Sequence, residues 1–186
     1  MNKMLNLLLF VGISTSIIAQ TQNEMKTEIT TEGLIIKKGK MVYTEIRINA
    51  SIDKVWNVFT EFEKYPEWNP FIKSLQGNPR VVKKVEVFLQ PPNSKGMKFT
   101  PKVLKFENQK EFRWIGKLLL PRIFDGEHTF KLIDNQDGTT TFIQYEHFRG
   151  ILIPFMKKML DNDTKKGFEN MNEALKIRCE VEMKRD

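Results

Sequence analysis

The sequence predicts an α+β domain in which a curved antiparallel sheet of about seven strands wraps around one long C-terminal helix. Two short helices follow the first strand. Three observations predict this. Apolar and polar residues alternate through successive stretches between Met41 and Phe148. A helical period interrupts the first two of these stretches, over Ile52–Phe59. A second helical period, with apolar residues every three or four positions, runs from Leu152 to Leu175.

The elements follow in order. In Met41–Asn49, Val42, Ile46 and Ile48 share one face and Glu45, Arg47 and Asn49 the other, as in a half-buried strand. Ser51 is suited to cap the helix that begins at Ile52, with Asp53 in its first turn. Pro66 and Pro70 flank Glu67-Trp68-Asn69 and predict a second, short helical turn. Strands are expected over Ile72–Gln76, Val81–Gln90, Met97–Glu107, Lys110–Leu118, Phe124–Asp134 and Thr139–Phe148. Gly77-Asn78-Pro79, Pro91–Gly96, Asn108-Gln109 and Asn135–Gly138 are the turns between them. Strands joined by short loops predict a meander. In the last helix Pro154 falls in the first turn, where proline is tolerated. Gly167 lies inside that helix, where a small residue permits close approach or a bend.

A curved sheet gripping one helix leaves space between the two, and such spaces hold ligands. Alternation supplies the inward set. Phe112, Trp114 and Gly116 share a face, as do His128 and Phe130, and Phe142, Gln144, Glu146 and Phe148. Phe99 and Phe124 join them from neighbouring strands, and Phe155, Met156 and Met159 from the helix. Centring the hairpin on Asp137 sets His128 opposite Glu146 and Phe130 opposite Gln144. A histidine and a carboxylate on an apolar face have three readings: a general acid/base pair, an anchor for a ligand's polar head, or two buried groups that satisfy each other. Those two residues are the catalytic candidates.

Several segments together resemble the polyketide cyclase/dehydrase branch of the START-like (SRPBCC) superfamily. They are Ser51–Trp56, Phe62–Ile72, Trp114, Phe124–Phe130, Gly138–Phe142 and Glu146–Gly150. The resemblance covers about residues 38–178. It implies a helix-grip fold with an enclosed cavity, and a region around Trp68 that borders the cavity mouth. It implies little about activity, since that superfamily includes lipid carriers, receptors and cyclases.

Other features bound the function. Lys3 followed by the largely apolar Met4–Ala19 and an Ala19-Gln20 junction reads as a signal peptide, giving 1–19 as an export signal. Residues 20–37 are then a leader, 38–178 the domain and 179–186 a tail, and the mature protein is expected in the periplasm or outside the cell. Cys179 is the sole cysteine, expected as a surface thiol, so the core alone holds the chain together. Net charge is +7, from basic residues scattered among acids. That suits a solvated surface, with weak membrane-surface association as the charged alternative. No nucleic-acid motif, phosphate loop or nucleophile elbow stands out, and two histidines on opposite faces give a metal no site. No cofactor is called for.

The sequence thus favours an exported, non-catalytic binder or carrier of a small hydrophobic or amphipathic molecule. The alternatives are a cyclase or dehydratase using His128 and Glu146, and an envelope-associated stress protein acting through its basic surface. Oligomeric state and ligand identity are not specified.

Overall fold

The structure, a computed structural model, describes residues 39–118 and 121–182. The expected export signal and leader lie outside the described residues. The described elements run β1 (Lys40–Ile48), α1 (Ile52–Thr60), a 3-10 turn (Phe62–Lys64), α2 (Tyr65–Trp68), β2 (Ile72–Gln76), β3 (Glu86–Leu89), β4 (Met97–Phe99), β5 (Lys102–Glu107), β6 (Glu111–Leu118), β7 (Phe124–Asp134) and β8 (Thr140–Arg149). The C-terminal helical segment comprises α3 (Ile153–Met159), a π turn (Leu160–Thr164) and α4 (Lys165–Glu182).

All strand pairs are antiparallel. Five strands form one sheet in the order β1-β8-β7-β6-β5, and β2-β3-β4 form a second. The expected meander holds within β5–β8, but β1 pairs with the last strand, β8, which brings the chain's two halves together. The single strand expected over Met97–Glu107 is two. Pro101 has no N–H to donate to a ladder, and the sheets part there. Its carbonyl still accepts from Val85, and Val103 exchanges bonds with Val82 and Lys83, so the second sheet hangs on the β5 edge. The strand expected from Val81 begins at Glu86 instead, because Arg80–Lys83 closes a turn.

Local chemistry sets the helices as the sequence suggests. Ser51 Oγ accepts from the Lys54 N–H and caps α1, whose Val55, Trp56, Val58 and Phe59 are buried. Pro66 sits in the first turn of α2 and Pro154 in the first turn of α3. Asn69 Oδ1 accepts from the N–H groups of Phe71 and Ile72, turning the chain into β2.

The helix presents Ile153, Leu160, Thr164, Phe168, Met171, Leu175 and Cys179 to the core. Cys179 is therefore buried, not a surface thiol, and helix replaces the expected tail as far as Glu182. Gly167 allows the close approach anticipated for it. A Cβ there would stand 2.7 Å from Cε2 of the buried Phe71 ring.

Candidate functional site

Nine strand residues from the sequence list meet on one side of the five-stranded sheet, but they divide into two groups. Phe112, Trp114, His128, Phe130, Phe142 and Gln144 are fully buried. Their rings touch one another and Phe59 of α1. Ring centroids stand 5.0 Å apart for Phe112–Trp114, 5.2 Å for Trp114–Phe130, 5.1 Å for Phe59–Phe130 and 5.3 Å for Phe59–Phe142. A void wide enough for water would leave accessible surface on its walls. These residues have 1 % or less, so they pack as core. Phe99, Phe124 and Glu146 keep partial exposure at the other end of the same face.

A polar chain crosses this apolar core. His128 stacks between Phe130 and Phe168, with centroids 4.2 and 4.7 Å away. Its Nε2 lies 3.0 Å from Gln144 Oε1. Gln144 Nε2 donates to Asn172 Oδ1 on α4 at 2.9 Å, and Asn172 Nδ2 donates to Thr44 Oγ1 on β1 at 3.0 Å. Thr44 Oγ1 in turn donates to the Gln144 carbonyl at 3.4 Å. Because Gln144 uses its amide N–H toward α4, its oxygen faces the ring, and Nε2 of His128 carries the proton. The lone pair of Nδ1 then faces Glu146 Oε2 at 3.5 Å, with the two residues directly opposed in the β7–β8 ladder.

Burial decides the charge of this pair. Loss of hydration pushes His128 down to about 3, against a smaller upward pull from Gln144. Loss of hydration pushes Glu146 up to about 8. Near neutral pH both are therefore uncharged, and the Glu146 carboxyl is a hydrogen-bond donor. The contact is a neutral pair and not a salt bridge. His128 is 1 % exposed and Glu146 13 %. Of the two side chains, only that of Glu146 keeps appreciable exposed surface.

Two glycines shape the surroundings of that carboxyl. Gly116 and Gly126 face each other across β6 and β7. The Phe99 ring lies over Gly116, 2.8 Å from where a Cβ would stand. The Glu146 carboxyl occupies the space a Cβ on Gly126 would fill. Phe124 stacks on Phe148 beside them at 5.4 Å. Where β8 ends and α3 begins, a recess of about 530 Å³ is lined by Lys40, Gly150, Ile151, Ile153, Pro154 and Lys157. That volume lies within the range of small-molecule sites. Lys40 is paired with Asp161 of the π turn.

The remaining candidates fall elsewhere. Phe155 is 85 % exposed and Met159 is exposed, so neither fills the space between sheet and helix; Met156 is half-buried against the core. The inward stripe of α3 is set by Ile153, Met156 and Leu160. Ile151, Phe155 and Met159 form a second apolar row at four-residue spacing, which periodicity alone does not distinguish from the first. Trp68 packs edge-on against Tyr65 at 5.1 Å. Glu67 reaches Arg178 and Phe71 meets Phe168, so α2 lies along α4, away from the recess beside α3. Sequence reasoning missed Thr44, Asn172 and Gly126. Thr44 was legible as the one polar residue in the inward alternation from Val42 to Ile48. Asn172 adjoins the buried Met171, but its partners come from distant strands.

A sheet closed by β1 on β8 around a C-terminal helix defines the helix-grip, START-like class of proteins. Solved structures share this fold. A Streptomyces aromatase/cyclase has 11 % identity and a TM-score of 0.63 over 76 % of this chain and 94 % of its own. A START superfamily protein from Mycobacterium smegmatis has 19 % identity and a TM-score of 0.60, over 76 % and 97 %. Norcoclaurine synthase from Thalictrum flavum, in complex with dopamine and hydroxybenzaldehyde, has 14 % identity and a TM-score of 0.59, over 80 % and 88 %. No curated protein sequence matches the chain. The family described as polyketide cyclase/dehydrase and lipid transport matches residues 41–180, and the chain belongs to it.

Proposed function

We propose that this protein is an exported binder of a small hydrophobic or amphipathic molecule, and that the protonated Glu146 carboxyl is its polar anchor. The observation that carries the reading is the asymmetry of the His128–Glu146 pair. One member is sealed between two phenyl rings; the other is partly exposed, neutral, and set among Gly126, Phe148 and half-buried apolar rings. A neutral carboxyl in such surroundings donates a hydrogen bond to a carbonyl or hydroxyl without the desolvation cost of a charge. The half-buried Phe99 and Phe124 at that end of the sheet face offer apolar surface for the ligand's body.

The same asymmetry argues against the cyclase or dehydratase alternative. A general base must reach the proton it removes. Both nitrogens of His128 face protein groups, and its affinity for protons is low. Export rests on the Lys3, Met4–Ala19 and Ala19-Gln20 pattern.

Native mass spectrometry of protein purified from its own host tests the binding reading. A co-purifying small molecule, lost or weakened in Glu146→Ala, is the expected result. Repeated emptiness, together with failure of the wild type to take up a hydrophobic dye, overturns it. Turnover of a polyketide-like compound that disappears in His128→Ala reinstates the enzyme.

A further inference from the structure

We infer that the turn Arg80–Lys83 docks the protein on an anionic lipid bilayer, inserting Val81 and Val82 between headgroups. These valines are 48 % and 65 % exposed. The turn is tightly built. The Arg80 carbonyl accepts from the Lys83 N–H at 3.0 Å, and Val82 N–H donates to the Val103 carbonyl at 2.9 Å, so the tip is fixed to the β5 edge. Val82 occupies the third position of this turn with φ of 64°. That left-handed conformation suits glycine or asparagine, and for a β-branched residue it is a genuine outlier that costs stability. A residue that is strained, exposed and apolar contributes nothing to the core. Its side chain has a use outside the fold.

The charge around it names the partner. Arg80, Lys83, Lys84 and Lys102 are exposed, with Lys84 bridged to Lys102, and among the described residues none of the four forms an ion pair. Glu86, the next acid along the chain, is taken by Lys98 at 3.6 Å. Four uncompensated cations around an apolar tip match the two layers of an anionic membrane surface, charged headgroups over acyl chains. A soluble polyanion would engage the cations and leave the strained valines without a role. The patch joins the β5 edge of the sheet, and Lys40 and the recess lie at the opposite, β1 edge.

Co-sedimentation of the purified protein with vesicles tests this. Wild type is expected to bind phosphatidylcholine vesicles containing phosphatidylglycerol, not phosphatidylcholine alone, and to release as salt rises. Lys83→Glu with Lys84→Glu should weaken binding roughly tenfold or more. Val81→Ser with Val82→Asn should weaken it to a similar extent. Val82→Asn alone should raise the thermal midpoint, because asparagine accepts the left-handed conformation. Absence of wild-type binding to the anionic vesicles overturns the inference. So does undiminished binding by the valine variant, which would reduce the patch to bare charge pairing. A lowered midpoint for Val82→Asn overturns the strain argument and with it the assignment of the tip.

Discussion

Glu146 faces His128 directly across the β7–β8 ladder, Oε2 3.5 Å from Nδ1, and the two groups hold no charge between them near neutral pH. Each is shifted by burial in the direction that favours its neutral form. Their titrations therefore act on folding in opposite senses, which gives a measurable pH profile.

The folded state holds the Glu146 proton from the ordinary value of 4.5 up to about 8, so its contribution is full below 4.5 and is lost as pH rises through 8. The unfolded chain takes a proton on His128 below 6.5, whereas the folded state resists until about 3, so stability is lost as pH falls from 6.5 to 3. Between 4.5 and 6.5 the two slopes cancel. Thermal midpoints are expected to plateau there and fall on both sides, on the order of 1 kcal/mol per pH unit. Glu146→Gln should flatten the profile above 6.5 and, with nothing left to cancel the His128 slope, replace the plateau by a fall that begins as pH drops below 6.5. Equal alkaline slopes in wild type and variant would remove the assignment.

Asn172 fixes the polarity of the chain that ends on His128. Asn172→Leu leaves Gln144 Nε2 and Thr44 Oγ1 without their partner and should cost about 1–3 kcal/mol in chemical denaturation. Nitrogen NMR of the imidazole gives a sharper readout. Wild type should show protonated Nε2 and bare Nδ1 at neutral pH, and the variant a mixture of tautomers. A wild-type ring protonated on Nδ1 would contradict the chain as described.

Gly126 leaves room for the Glu146 carboxyl. In Gly126→Ala the added methyl overlaps that carboxyl, the mobile end of a flexible side chain, while Phe148 Cε1 remains at an ordinary 3.4 Å. The sheet should survive and the carboxyl should swing away. The expected result is a near-native thermal midpoint with hydrophobic-dye affinity reduced up to about tenfold, the worth of one hydrogen bond. Unchanged affinity would separate Glu146 from binding.

Gly167 behaves differently, because the atoms it meets belong to the buried ring of Phe71. Gly167→Ala gains helix propensity of about 1 kcal/mol and should still destabilise, since overpacking a rigid core contact costs about 1–3 kcal/mol. A fall of a few degrees in the thermal midpoint is expected. A rise would mean that α4 and β2 are free to part.

Export has its own test. N-terminal sequencing of protein recovered from the periplasm or medium of its host should begin at Gln20. Recovery only from the cytoplasm with Met1 intact would overturn the export reading.

Much of the fold was legible because it depends on period. Alternation over Met41–Asn49 and Thr139–Phe148 fixes which faces are inward, and a turn centred on Asp137 fixes the register. From those two facts the pairing of His128 with Glu146 follows by counting, and the structure bears it out. Ser51 and the two prolines marked the starts of α1, α2 and α3 through chemistry confined to a single turn.

Tertiary structure decided what the inward faces enclose. Nothing local to Trp114, Phe130 or Phe142 tells core from cavity wall; that depends on Phe59 arriving from α1 and filling the gap between them. Nothing local to Phe155 shows that its row of the helix faces solvent, because the phase of α3 is set by contacts of Ile153 and Leu160 with the core. The charge of Glu146 is likewise not written at its position. A glutamate is ionised at neutral pH in water. It becomes a neutral donor here because a glycine one strand away, a histidine opposite and apolar rings around it remove the water that would solvate the charge.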